Sequence, residues 1–345
     1  MNISIPTYHI KQGDTLASVA EELGVAVDEL RKYHNTYCDI KNLIGYDLKG
    51  FHEILIPPSN IMAELKEKKH IQIKDGELPA YYLSKNFYAK EYQVKERFEK
   101  SLTEDLEVDY LFHIALRETA TEGFIAETYC SGFKKHNESV DDKISSLSIA
   151  CMNSISPIAF TVLAQGKIKG LYNHKDIIQK FLSKKQDLED FFVGEISKKY
   201  INKFQENIGD ENFLLKQFSA TLLYQIVFPK MDWFHKKKSW EEEWYIVQNS
   251  FPVKFRFDAE YNHEDNEFIE TIIHGNMQDI YSVQELLRGM KFKENEDNPA
   301  SVEIELRYKT HKVTRRFSQA EASVTIWHEE EIYSRQILTV KEVKN

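Results

Sequence analysis

The sequence predicts an α+β protein. A small βααβ module comes first, followed by a larger domain in which a curved antiparallel sheet packs against long helices. Three observations carry this reading. Leu16, Val19, Ala20 and Leu23 recur at i, i+3, i+4 and i+7, the spacing of one helix face. Between Asn173 and Phe228 two long stretches keep Ile, Leu and Phe at approximately helical spacing. Val302-Glu303-Ile304-Glu305-Leu306-Arg307-Tyr308 alternates cleanly, as a strand with one buried and one wet face does. The order of strands, long helices and strands suits a sheet covered by a helical layer.

Taken in order, Tyr8-His9-Ile10-Lys11 alternates as a short strand and ends at Gly13. Asp14 is placed to cap the helix beginning at Leu16, its carboxylate accepting from first-turn N–H groups. Gly24 suits the left-handed position after the helix. Val27 to Tyr33 reads as a second short helix with acids early and bases late, ending near His34-Asn35. Glu53-Ile54-Leu55-Ile56 reads as a second strand, closed by Pro57-Pro58.

The pieces Tyr8-x-Ile10-Lys11-x-Gly13-Asp14-Thr15-Leu16, Val19-Ala20-x-x-Leu23-Gly24-Val25, Glu29-Leu30 with Asn35, Asn42-Leu43-Ile44 and Leu55-Ile56-Pro57 follow one another at a specific spacing. In this arrangement residues 8–57 resemble a LysM module. The resemblance implies binding of N-acetylglucosamine-containing glycan, usually peptidoglycan or chitin. It places Gly13, Asp14, Thr15 and Leu16 on one side of the groove and Asn42, Leu43 and Ile44 on the other. Backbone amides and short polar side chains would pair with acetamido groups, and Leu16 and Ile44 would pack on methyl and ring faces. Two departures stand out. Ala26 takes the place of the family's Ser or Thr cap, and the short turn after Leu43-Ile44 is lengthened to Gly45–His52. Either Gly45 or Gly50 answers to the family's turn glycine. Read architecturally, Gly13 to Leu16 also meet the needs of a turn and a helix cap, whatever is bound.

The expected organisation is a module at 1–58, a linker at 59–80 and an α+β domain at 81–345, either single or divided near 231–240. The charged run Glu64–Lys69 reads as a solvated tether or short helix. Strands are expected at Val108–Leu116, Phe124–Cys130, Ile158–Ala164 and Lys167–Tyr172. One helix is expected from Asn173 through Phe204 and another from Asp210 to Phe228-Pro229. Further strands follow at Pro252–Ala259, Phe268–Gly275, Ser301–Thr310, Ser323–His328 and Arg335–Val343.

Composition narrows the function. With 45 Lys+Arg against 55 Asp+Glu the net charge is −10, which argues against a surface that coats nucleic acid. Three cysteines, Cys38, Cys130 and Cys151, make neither a disulfide framework nor a zinc spacing and suit a reducing compartment. The N-terminus has no basic, apolar leader pattern, so the expected location at synthesis is cytoplasmic, with export only by a non-classical route. The uncharged run Ile144–Gly166 holds several Ser and a central Pro157, which favours a helix from Asp141 to Ser154 and then a strand over a membrane span.

Chemistry-bearing motifs are few. The phosphate-loop, zinc-protease and hydrolase signatures do not occur. His328-Glu329-Glu330-Glu331 starts like a metal motif but reads as the charged end of a strand, and Glu260–Glu267 reads as an acidic hairpin tip rather than a calcium loop. Cys130 or Cys151 would need His113 or His136 nearby to act as a nucleophile, and core packing is the plainer expectation. Trp240 and Trp244, around three glutamates and after Lys236–Lys238, read as a connector or a partner surface.

The expectation is therefore a binding or adaptor protein without cofactor or metal, leaning away from an enzyme. Its partner would be peptidoglycan or another N-acetylglucosamine glycan, or a structural or cargo protein. LysM-like modules also occur in baseplate parts of contractile phage tails and related injection machines, where they serve in docking. A wall hydrolase delivered by the module, or a chaperone with an apolar groove, are the alternatives.

Overall fold

The computed structural model describes residues 6–11, 14–45, 48, 50–100, 103–119, 123–290 and 299–344. The chain divides into two units, Met1–Glu77 and Leu78–Asn345.

In the first unit, β1 (Thr7–His9) pairs antiparallel with β2 (Glu53–Leu55), and α1 (Leu16–Leu23) and α2 (Val27–Tyr37) lie between them in sequence. A 3-10 turn at Ile40–Asn42 follows α2, and α3 (Ser59–Glu77) follows β2. The expected cap is corrected by one residue. Thr15 caps α1, accepting from the Ser18 N–H at 3.0 Å while the Ser18 hydroxyl accepts from Thr15 N–H at 2.9 Å. The hydroxyl one bond from Cβ reaches the third helical N–H from this position. Asp14, one residue earlier, turns back and accepts from the Lys11 N–H at 2.8 Å. Gly24 adopts φ 72° and donates to Ala20 and Glu21 carbonyls, as the left-handed helix end requires.

The second helix runs past His34 and Asn35 to Tyr37, and both residues turn inward to serve the fold. Ser59–Glu77, within the stretch read as a linker, is helical. Its buried Met62 joins Leu16, Val19, Leu30 and Ile54 in one apolar cluster, and Leu65 packs against it. Met62 and Leu65 are three apart, which puts an apolar edge on an otherwise charged helix. Lys68 Nζ lies 2.7 Å from Glu29 Oε1 and ties α3 to α2.

The second unit is built on one antiparallel sheet. Its elements are β3 (Glu91–Lys100), β4 (Thr103–Glu118), β5 (Gly123–Lys135), β6 (Glu138–Ser139), α4 (Lys143–Ile155), β7 (Ile158–Leu163) and β8 (Ile168–Leu171). The helices α5 (His174–Phe191), α6 (Glu195–Gly209), α7 (Glu211–Ser219) and α8 (Leu222–Val227) follow, then a 3-10 turn at Met231–His235. The chain returns to the sheet with β9 (Trp240–Trp244), β10 (Val253–Asn262), β11 (Phe268–Met277) and β12 (Tyr281–Ser282). After α9 (Val283–Arg288) come β13 (Pro299–His311), β14 (Phe317–His328) and β15 (Glu331–Glu342). The strand order is β8-β7-β5-β4-β3-β15-β14-β13-β11-β10-β9, with β6 on β5 and β12 on β13. The C-terminal β15 thus closes beside β3, with Val340 opposite Val94.

One core joins sheet and helices. Tyr92, Phe112, Phe160, Phe255 and Leu306 from the strands are buried with Ile177, Phe181, Ile201 and Ile226 from the helices. Met231, Trp233 and Phe234 lie in this same core, so the chain does not divide near 231–240. The two expected long helices are each broken. Gly194, at φ 122°, separates α5 from α6, and Thr221 caps α8 after α7 has ended. Trp240–Trp244, expected to be a connector or a partner surface, is the edge strand β9.

The uncharged run beginning at Ile144 resolves into α4 and β7, with a cis Ser156–Pro157 bond between them. Among the described residues no helix is long and apolar enough to cross a membrane.

Candidate functional site

In the first unit, Asp14 is half-buried, Thr15 is exposed and Leu16 is buried. Gly13 lies outside the described residues. The Asp14 carboxylate accepts from the Tyr8 hydroxyl at 3.2 Å as well as from Lys11 N–H, so it holds its own turn shut. Tyr8 also donates to Glu22 at 2.7 Å, and Lys11 Nζ reaches the same carboxylate at 3.1 Å. Those two donors, Tyr8 first, hold the Glu22 carboxyl below its ordinary range.

The loop at 42–44 is pinned by two side chains of α2. Asn35 donates from Nδ2 to the Ile44 carbonyl at 2.9 Å and accepts from the Ile44 N–H at 2.8 Å. His34 Nδ1 accepts from Leu55 N–H at 2.9 Å, so its Nε2 carries the proton and donates to the Asn42 carbonyl at 2.9 Å. Leu16 and Ile44 share one buried cluster. Their side chains face the core, so the surfaces left for a ligand are Thr15, Asn42 and Leu43, with Asp14 at the edge. Leu43 is 49% exposed, and Tyr37 and Ile40 before it are 54% and 89% exposed. Three apolar side chains, at the end of α2, in the 3-10 turn and after it, therefore stand in solvent.

The second unit holds a cavity of about 670 Å³ between the helical layer and the inner face of the sheet. Helices α4, α6, α7 and α8 supply one wall, including Met152, Ile208 and Leu223, and strands supply the other, including Val324 and Ile326. Exposed Phe213, Leu287 and Gln248 also line it.

Polar side chains also line it, among them Lys100, Asn153, Asn207 and Arg335, and one cluster centres on Glu96. Glu96 of β3 accepts a hydrogen bond from the Tyr110 hydroxyl of β4 and another from the Gln336 side chain of β15. These are diagonal neighbours across adjacent strands, within reach of long side chains. Burial pushes the Glu96 carboxyl above its ordinary range, against the pull of those two hydrogen bonds. Tyr110 is pushed well up by burial and by the charge of Glu96, and stays a donor. Cys130, also lining the cavity, is pushed up to about 12, chiefly by burial and then by Glu96. Tyr224 shares a 3.0 Å hydrogen bond with Thr128 at the same wall.

Compared with protein-family models and with curated proteins, the chain matches none.

The other candidate residues resolve as follows. Cys130 and His113 lie on opposite faces of the sheet, because Cys130 is register partner to Phe112 while His113 is partner to Tyr129. Cys151 is buried in α4, and burial pushes its thiol up to about 11. Both thiols are held protonated, which is the unreactive form. Glu329 and Glu330 form a tight turn with φ of 51° and 65° between β14 and β15. Asp265 accepts from the N–H groups of Glu267 and Phe268 and builds the tip of the β10–β11 hairpin. Among the described residues no three His, Cys, Asp or Glu side chains gather as metal ligands.

On the outer sheet face, His113 stands between Glu91 at 3.2 Å and Ser131 at 2.9 Å, with the Tyr129 ring stacked on it at 4.1 Å. The line Glu91–His113–Ser131 crosses three adjacent strands and braces them. Sequence reasoning missed it, since the three residues lie far apart in the chain. It also missed the Glu96 cluster. The available signal was an acid at an inward position of the pattern Tyr92-x-Val94-x-Glu96-x-Phe98.

Proposed function

We propose that this chain is a non-enzymatic binding protein whose first unit is a LysM-like module that holds N-acetylglucosamine-containing glycan such as peptidoglycan. The observation that carries this reading is the pinned loop. Asn35 and His34 clamp Ile44 and Asn42, in a βααβ frame whose residues carry the spacing of the LysM motif. A loop held by the fold before ligand arrives loses little ordering entropy on binding. The ligand contacts fall to the surface of Thr15, Asn42 and Leu43 rather than to the buried side chains of Leu16 and Ile44.

A second reading has its own support. Tyr37, Ile40 and Leu43 are three exposed apolar side chains close in sequence, which suits docking on a protein, as an adaptor or cargo of a contractile injection machine would require.

Calorimetric titration of the full chain with N-acetylglucosamine oligomers tests the first reading. Saturable binding that is lost in Leu43→Asp and weakened in Asn42→Ala supports it, because both side chains are exposed and neither belongs to the core. A folded chain that takes up no oligomer, but co-purifies with one structural protein through Ile40 and Leu43, replaces it with the docking reading.

A further inference from the structure

The second unit holds a cavity whose reading is independent of that of the first unit. The geometry points to the cavity over Glu96 as the site of a small amphiphile. Its apolar body would lie between the helical layer and the sheet, and its amine head would pair with the Glu96 carboxylate.

Size and lining argue for a ligand rather than for solvent alone. A cavity of about 670 Å³ falls within the range of small-molecule sites, roughly 300–1,000 Å³, which are mostly apolar with a few convergent polar groups. Here the apolar walls come from α4, α6, α7, β14 and other elements; Glu96, Tyr110 and Gln336 converge on one wall, and Glu99, Lys100 and Arg335 also line the cavity, Arg335 lying 4.0 Å from Glu99. Exposed Phe213 and Leu287 add apolar surface to the lining, which suits an apolar chain entering between them.

The head group follows from charge. Carboxylates drawn out of water are ordinarily paired with a cation, and Glu96 is part-buried. Among the described residues no lysine, arginine or histidine forms an ion pair with Glu96, whose protein partners are a phenol and an amide. Those partners donate two hydrogen bonds, and a carboxylate has about four acceptor positions. An ammonium head supplies both the missing charge and further donors, with the strength of a charge-assisted hydrogen bond. A fatty carboxylate would set a second negative charge against Glu96 and would have to turn its head to Lys100 instead.

The test uses the full chain and Nile red as a neutral apolar probe, displaced by dodecylamine, dodecanol or dodecanoate below their micelle-forming concentrations. The expected result is saturable uptake of one dye per chain, with dodecylamine displacing it at a concentration about tenfold or more below that of dodecanoate. In Glu96→Gln the amine preference should shrink to about twofold, while dye uptake persists. Met152→Trp, which narrows the cavity, should weaken uptake while unfolding stays cooperative.

Several outcomes overturn the proposal. One is dodecanoate matching dodecylamine in the unaltered chain, a comparison that needs no variant to fold. The others are unsaturable uptake, and a full amine preference surviving in a folded Glu96→Gln chain.

Discussion

The hydroxyl of Tyr308 donates to the carbonyl of Ile226 at 3.2 Å, joining β13 to the last turn of α8. Tyr88 does the same for the next carbonyl, Val227, at 2.6 Å. Both tyrosines are buried, and a helix end has carbonyls with no partner in the helix itself. Two strangers in sequence thus satisfy one helix terminus inside the core. Tyr308→Phe or Tyr88→Phe leaves a buried carbonyl short of a donor and is expected to cost roughly 1–3 kcal/mol. Urea unfolding checks this, and a loss within experimental error for both would remove the account of how α8 is held.

Glu96 gives a pH signature. Its folded carboxyl is raised above the unfolded value of about 4.3 by burial, so the folded state binds the proton more tightly. Its contribution is fully present below the unfolded value and is lost as pH rises through the folded one. Its hydrogen-bond partners Tyr110 and Gln336 and the neighbouring Cys130 stay uncharged through that window. Glu96→Gln is therefore expected to raise the melting temperature at pH 8 and to change it little at pH 4. Thermal melts at the two values decide it, since an equal shift at both would place the effect elsewhere.

Gly166 turns β7 into β8 at φ 95°, and a Cβ added there would sit 2.2 Å from the Pro229 carbonyl oxygen. Both backbone conformation and space demand glycine. Gly166→Ala should destabilise by at least roughly 1–3 kcal/mol. Gly275 is a different case, because its φ is ordinary and the obstacle is the Phe257 ring, at 2.3 Å from the built Cβ. Phe257 lies opposite Gly275 on the neighbouring strand. Gly275→Ala paired with Phe257→Leu should recover part of the loss, whereas no second-site side-chain change of this kind should recover Gly166→Ala. Denaturation of the single and double variants checks both statements.

Asn35 makes two hydrogen bonds to one residue, Ile44, and holds the loop carrying Asn42 and Leu43. Asn35→Ala is expected to cost roughly 1–3 kcal/mol and to weaken ligand binding at the loop without touching the ligand. Asn35→Asp keeps the acceptor but loses the donor, and should fall between the two. Binding titrations beside thermal melts separate a loosened loop from an unfolded chain.

Much of the architecture was legible because periodicity reports burial. The alternation in Val302–Tyr308 and the apolar face of Leu16 to Leu23 map directly onto β13 and α1. Errors arose where tertiary contacts override local pattern. The central strand β3 escaped notice because Glu96 occupies an inward position that alternation reserves for an apolar residue. That misfit is the same feature that gives the cavity its polar anchor. The break at Gly194 was hidden because apolar spacing continues through Phe191, Phe192 and Ile196 across the turn. At the N-terminal loops Leu16 and Ile44 face the core while Leu43 faces solvent. Sequence spacing names the loop residues without saying which way each side chain points.

Co-sedimentation of the full-length chain with purified, insoluble peptidoglycan tests the central claim most directly. The account predicts that the unaltered chain pellets with the glycan, that soluble N-acetylglucosamine oligomers release it, and that Leu43→Asp stays in the supernatant while folding normally. A folded, unaltered chain that remains in solution at every glycan concentration would contradict it.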